Sequence, residues 1–152
     1  MRKKTSGILL AAIILIAIQF VPVDRSNPRV SDGLVAPPAV SEAIRVSCYD
    51  CHSNETRWPW YSYVAPASWV MAHHVHEGRD HLNFSTWSEL TDGERTAMMQ
   101  RIWRMASKGK MPLRSYLLLH REAKLTDQQL EAIHAWSQTP EETGVQETGV
   151  QD

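Results

Sequence analysis

Cys48, Cys51 and His52 are the residues of this 152-residue chain whose types and spacing carry the most chemistry, in the run Ser47-Cys48-Tyr49-Asp50-Cys51-His52. The sequence has only two cysteines, and both are in this run. Two thiols about one helical turn apart can each add to a vinyl group on one edge of a porphyrin. The adjacent histidine can then offer an imidazole nitrogen to the iron, so the pattern reads as the attachment motif of c-type haem. A structural zinc site needs four ligands, usually including a second Cys/His pair, and no further cysteine exists. A thioredoxin-like dithiol expects a βαβ context that this sequence does not offer. A plain local disulfide is the remaining alternative.

The elements around the motif place it in space. Arg2, Lys3 and Lys4 precede an apolar stretch from Gly7 to Val23 that is broken only by Gln19 and Pro22. The stretch is at the short end for a membrane span, which needs about 17 to 25 residues. No clear small-x-small cleavage site follows, so residues 1–24 read as an uncleaved signal anchor, with a cleaved signal and a periplasmic product as the alternative. The positive flank keeps the N-terminus cytoplasmic and sends the rest across a bacterial inner membrane as a single-pass protein facing the periplasm. That is the side on which bacteria attach haem covalently.

Residues 25–39 are rich in Pro, Ser and charge and read as a linker. Residues 40–138 are enough for one small domain, whose core a haem would enlarge. Residues 139–152 repeat Glu-Thr-Gly-Val-Gln, lack basic residues and read as a disordered acidic tail. The formal net charge of −1 gives no sign of nucleic-acid binding.

Helix signals fill the domain. Ser41 reads as the cap of a helix running into Cys48. Trp58-Pro59-Trp60-Tyr61 reads as a loop, and Pro66 to Glu77 as a helix that Gly78 stops. Thr91 to Glu94 is a capping box for a third helix carrying an apolar stripe of Met99, Ile102, Trp103 and Ala106, ended by Gly109. A short helix through Tyr116 to Leu119 follows, and Thr126 to Gln129 caps a last one through Trp136. No period-2 strand is evident, so the fold class is all-α.

Cys48-x-x-Cys51-His52-Ser53, Thr56, Pro59-Trp60-Tyr61, Pro66-x-Ser68-Trp69, Gly78-Arg79, Leu82-Asn83-Phe84-Ser85-x-Trp87 and Gly109-x-Met111-Pro112 occur in that order. Together they resemble the bacterial haem-binding domain family, a cytochrome c-like group that is exported or membrane-anchored. The resemblance covers roughly Val40 to Trp136. It implies a small helical domain around one covalent haem.

Met111 is the expected second axial ligand, because small cytochromes resemble this arrangement in presenting a methionine from a loop after a helix. A thioether is soft and neutral, and His/Met ligation raises the reduction potential relative to two histidines. The competing role for Met111 is gap-filling in the core. His73, His74, His76 and His81 lie on or just after the second helix and read as surface or partly buried residues, although His73 and His76, three apart on one face, could bind a metal or compete as the distal ligand. Arg57 and Arg79 are candidate propionate partners. The expected function is one-electron transfer rather than catalysis, with an unidentified redox partner. The alternatives are a haem sensor or peroxidase-like enzyme with an open sixth position, and a haem-stabilised interaction module.

Overall fold

The computed structural model describes residues 2–139, and its regular elements are all helical. An isolated bridge between Asp32 and Thr86 is the nearest approach to a sheet among the described residues. The expected acidic tail lies outside the described residues from position 140 onward. The chain forms two compact units. Among the described residues, unit 1 comprises Tyr49–Ser85 with the N-terminal stretch through Val30, and unit 2 comprises Ser31–Cys48 with residues 86–139.

Unit 1 begins with α1 (Arg2–Ala17), continued by a 3-10 turn at Ile18–Phe20. Ile8, Leu9, Leu10, Ile13, Ile14, Leu15 and Ile16 are all exposed along α1. At 1.5 Å per residue, α1 is about 24 Å long, below the roughly 30 Å of a bilayer's hydrocarbon core. Among the described residues no helix is long and apolar enough to cross a membrane. The spanning helix expected over residues 1–24 is therefore not formed as such. The physical reason lies in Pro22, which disfavours helical backbone at the residue before it, and Val21 is extended (φ −71°, ψ 119°).

The stretch after α1 has no regular structure, as a linker would, but its first part is bonded to unit 1. The Arg25 guanidinium donates to the Ser62 carbonyl (3.2 Å) and lies 4.6 Å from the Tyr63 ring centroid. Asn27 Nδ2 donates to the Thr56 carbonyl (2.9 Å), and Asn54 Nδ2 to the Arg29 carbonyl (2.8 Å). The unit's other elements are α3 (Tyr49–His52), a 3-10 turn at Trp60–Tyr63, and α4 (Ala67–His81), which packs on both. α4 buries Met71, Ala72 and Val75, while Phe84 is fully buried and stacked on Tyr49 at 5.4 Å. Gly78 does not stop α4, which continues to His81.

Unit 2 opens with α2 (Pro38–Ser47). Its start lies three residues before the expected cap. Pro38 occupies the first helical position with its φ already set, and Ser41 sits inside the helix, its hydroxyl donating to the Ala36 carbonyl (3.0 Å). Val40, Ala43, Ile44 and Ser47 form its buried face. That face packs on α7 (Asp127–Ser137), which also takes α5 (Asp92–Ser107). Both predicted capping boxes are present, at Thr91/Glu94 and Thr126/Gln129. Met99, Ile102, Ala106, Ile133 and Trp136 are buried, and Trp87 lies 5.9 Å from Trp136 between ring centroids. Trp103, the fourth member of the α5 stripe, is half-buried and stacks on His134. A short α6 (Arg114–Leu117) lies between α5 and α7 and stops before the exposed Leu118 and Leu119.

Candidate haem-attachment site

The motif begins at the end of α2 and continues through α3. The Cys48 N–H donates to the Ile44 carbonyl (2.8 Å), which closes α2 in unit 2. Cys51 and His52 form the last turn of α3 in unit 1, where both are half-buried. Both cysteines are thiols rather than halves of a disulfide. Burial, reinforced by the Asp50 carboxylate, pushes the Cys51 thiol up to about 11, with Arg79 pulling weakly the other way. A redox dithiol needs a stabilised thiolate, so this environment runs against the thioredoxin-like reading. A neutral thioether suits it.

His52 is held by backbone. Its Nδ1 lies 2.8 Å from the Gly78 carbonyl oxygen and 3.1 Å from that of Leu82. A carbonyl can only accept, so Nδ1 carries the hydrogen. The neutral ring then has its lone pair on Nε2, the nitrogen suited to a metal. These carbonyls come from the end of α4, which must approach closely. A Cβ at Gly78 would stand 3.0 Å from the Cys51 carbonyl carbon and 3.3 Å from its Cβ, and nearer still to its oxygen. Gly78 therefore serves close approach rather than helix termination.

The segment after α4 completes the clamp. Leu82 supplies the second carbonyl to His52. Asn83 Nδ2 donates to Asn54 Oδ1 (2.9 Å), and the Phe84 N–H donates to the His52 carbonyl (2.8 Å). Ser85 Oγ accepts the Asn54 N–H (2.9 Å). Four consecutive residues thus each contact the segment that contains or follows the motif. The sequence singled out Leu82 to Ser85 as a pattern, but this role was visible only in the fold.

Arg79 has a different role from the one expected. Its Nε donates to the Ser53 carbonyl (2.8 Å), one terminal nitrogen to the Ser26 carbonyl (3.0 Å), and the other to Asn27 Oδ1 (2.9 Å) and Thr56 Oγ1 (3.0 Å). The guanidinium joins the N-terminal stretch to the loop after the motif, rather than standing ready for a propionate. Arg57 is exposed and pairs with Asp50 at 3.6 Å.

Met111 belongs to unit 2, where the end of α5 sets its position. Gly109 takes φ 60°, a left-handed conformation open to glycine. The Gly109 N–H donates to the Ala106 carbonyl (2.9 Å) and the Lys110 N–H to that of Met105 (3.0 Å), a Schellman ending. The Met111 N–H joins the same Met105 carbonyl (3.2 Å), leaving Met111 half-buried directly after the turn. The histidines at 73, 76 and 81 are exposed and His74 is half-buried. No group of three or more His, Cys, Asp or Glu side chains able to hold a metal ion occurs among the described residues. Trp58 Nε1 is a buried donor without an acceptor among them, for which a haem carboxylate is a chemically matched partner.

The model of the haem-binding domain family matches residues 13–139. With that extent covering most of the chain, this protein belongs to the haem-binding domain family. No curated protein and no solved structure matches it. The residues in hand fit the group that the family name implies: an imidazole with its lone pair set on Nε2, a Cys51 thiol beside it that burial keeps neutral, and an orphaned buried indole N–H.

Proposed function

We propose that this protein is a mono-haem c-type carrier of single electrons. Cys48 and Cys51 would hold the haem covalently through thioethers, and His52 and Met111 would ligate its iron. The observation that carries the reading is the His52 imidazole, fixed through Nδ1 by the Gly78 and Leu82 carbonyls, directly after Cys-x-x-Cys in a haem-binding chain. When bound, haem supplies the one-electron couple of its iron. The protein's part is to hold the group and tune it. The two carbonyls fix the ring's orientation and raise its basicity as a ligand. A methionine thioether favours ferrous iron and so raises the potential. Two protein ligands with similar demands in both oxidation states favour electron transfer over substrate chemistry.

The proposal includes the location. The N-terminal apolar segment holds the protein at the bacterial inner membrane, with the haem-bearing part on the periplasmic side. The run of exposed apolar residues along α1 supports this, since a helix that is apolar all round has no water-facing side. A mature N-terminus near Asp24 in a soluble periplasmic fraction would overturn the anchor while leaving export intact.

The test of function is the reduced visible spectrum with and without carbon monoxide, on protein made with a cytochrome c maturation system. A spectrum indifferent to carbon monoxide, with haem that resists acid–acetone extraction, is the expected result. Ready carbon monoxide binding would favour a sensor or enzyme with an open sixth position. Extractable haem would overturn covalent attachment.

A further inference from the structure

Unit 1 carries an exposed apolar corner where α4 begins. Trp60 is 77 % exposed, and Tyr63, Val64, Trp69 and Val70 are also open to solvent. Single exposed apolar residues need no explanation, but several at one turn and at the helix start that follows it do. Backbone bonds tie these residues together: the Ser68 N–H donates to the Val64 carbonyl, and the N–H groups of Trp69 and Val70 to that of Pro66. The 3-10 turn and the first turn of α4 therefore form one corner.

The foot of α1 is fastened to this corner. Gln19, the one amide in the apolar run, accepts the Ala65 N–H through Oε1 (2.9 Å) and donates through Nε2 to the Ala65 carbonyl (3.2 Å). Phe20 and Val21 beside it are exposed. Arg25 then places its guanidinium over Tyr63 and on the Ser62 carbonyl. An apolar helix thus runs into a rim of Trp, Tyr and Arg, the residue types that sit where hydrocarbon gives way to headgroups.

We propose that the Trp60–Val70 corner is a membrane-surface contact that seats in the headgroup layer of a phospholipid bilayer beside the foot of α1. The proposal rests on the membrane attachment of α1 argued above and adds a second point of contact. Two contacts joined through Gln19 and Ala65 would fix the orientation of unit 1 at the bilayer, where one flexible tether would let it tumble. The bilayer is favoured as occupant because Gln19, at the foot of the exposed apolar α1, is hydrogen-bonded to Ala65 within this corner.

The full-length holoprotein is reconstituted into phosphatidylcholine/phosphatidylglycerol vesicles doped with a headgroup-level diazirine phospholipid, irradiated, and mapped by peptide mass. Adducts in α1 and in residues 60–70 are expected. Trp60→Ser, at a side chain the fold does not bury, should reduce labelling of residues 64–70 several-fold with an unchanged haem spectrum. Adducts confined to α1 would overturn the corner contact and leave the anchor standing. Adducts at the corner without α1 would uphold the contact and overturn the anchor. Labelling of neither would overturn both, and corner labelling unmoved by Trp60→Ser would overturn the role given to that residue's surface.

Discussion

The His52 imidazole donates through Nδ1 to the Gly78 carbonyl at 2.8 Å, and the backbone of Gly78 lies against that of Cys51. The two relationships depend on one another. The carbonyl reaches the ring only because α4 comes this close to the motif, and it comes this close only because position 78 has no side chain.

Gly78→Ala therefore forces a shift of backbone rather than of a flexible side chain. We expect a loss of about 1–3 kcal/mol of stability, typical of overpacking, and a lower yield of haem-loaded protein. Gly93→Ala is the control. It lies in the first turn of α5, where an added Cβ meets nothing within 4 Å, and should stabilise by about 0.5 kcal/mol. Denaturant midpoints of both variants decide the matter, and equal effects would refute the close-approach argument.

Arg79→Leu should lower stability by about 2 kcal/mol, because four acceptors lose a charged donor, some of them near solvent. Arg79→Lys should rescue little, since one ammonium cannot span acceptors that a planar fork reaches together. Limited proteolysis should show faster cleavage between residues 24 and 30 in both variants. Full rescue by lysine would show that charge, and not the fork, is what matters.

On the ligation proposed above, Met111→Ala should lower the reduction potential and open the iron to carbon monoxide, because whatever replaces the thioether favours ferrous iron less. The fold should survive, as the Schellman ending of α5 uses Gly109 and backbone groups rather than the Met111 side chain. Unchanged spectra and potential would move suspicion to His73, His74, His76 and His81.

Acid should loosen the start of α5. The backbone N–H and hydroxyl of Thr91 hold the Glu94 carboxyl below its ordinary range. A group whose folded pKa is depressed contributes stability that is present above its unfolded pKa and lost as pH falls through the folded value. Glu94→Gln keeps the capping geometry without the charge and should flatten this acid dependence, measured as thermal midpoint against pH. An identical acid profile in the variant would assign the dependence to other groups.

The sequence by itself determined the features that depend on neighbouring residues. The chemistry proposed for Cys48, Cys51 and His52 rests on their types and close spacing, so it was legible. The two capping boxes are closed by groups three residues apart, and Gly109 marks its turn because it alone bears the left-handed backbone without strain. Tertiary structure decided what holds the motif. The acceptors for His52 are backbone carbonyls 26 and 30 residues away, and a carbonyl has no residue type by which to be noticed. Gly78 looked like a helix stop because a glycine needed for close approach and one needed to end a helix are the same letter. Arg79 looked available for a carboxylate until the fold brought Ser26, Asn27, Ser53 and Thr56 around it. Leu82 to Ser85 stood out as a pattern, but only the packing of α4 on α3 brings that segment onto the Cys-x-x-Cys-His run.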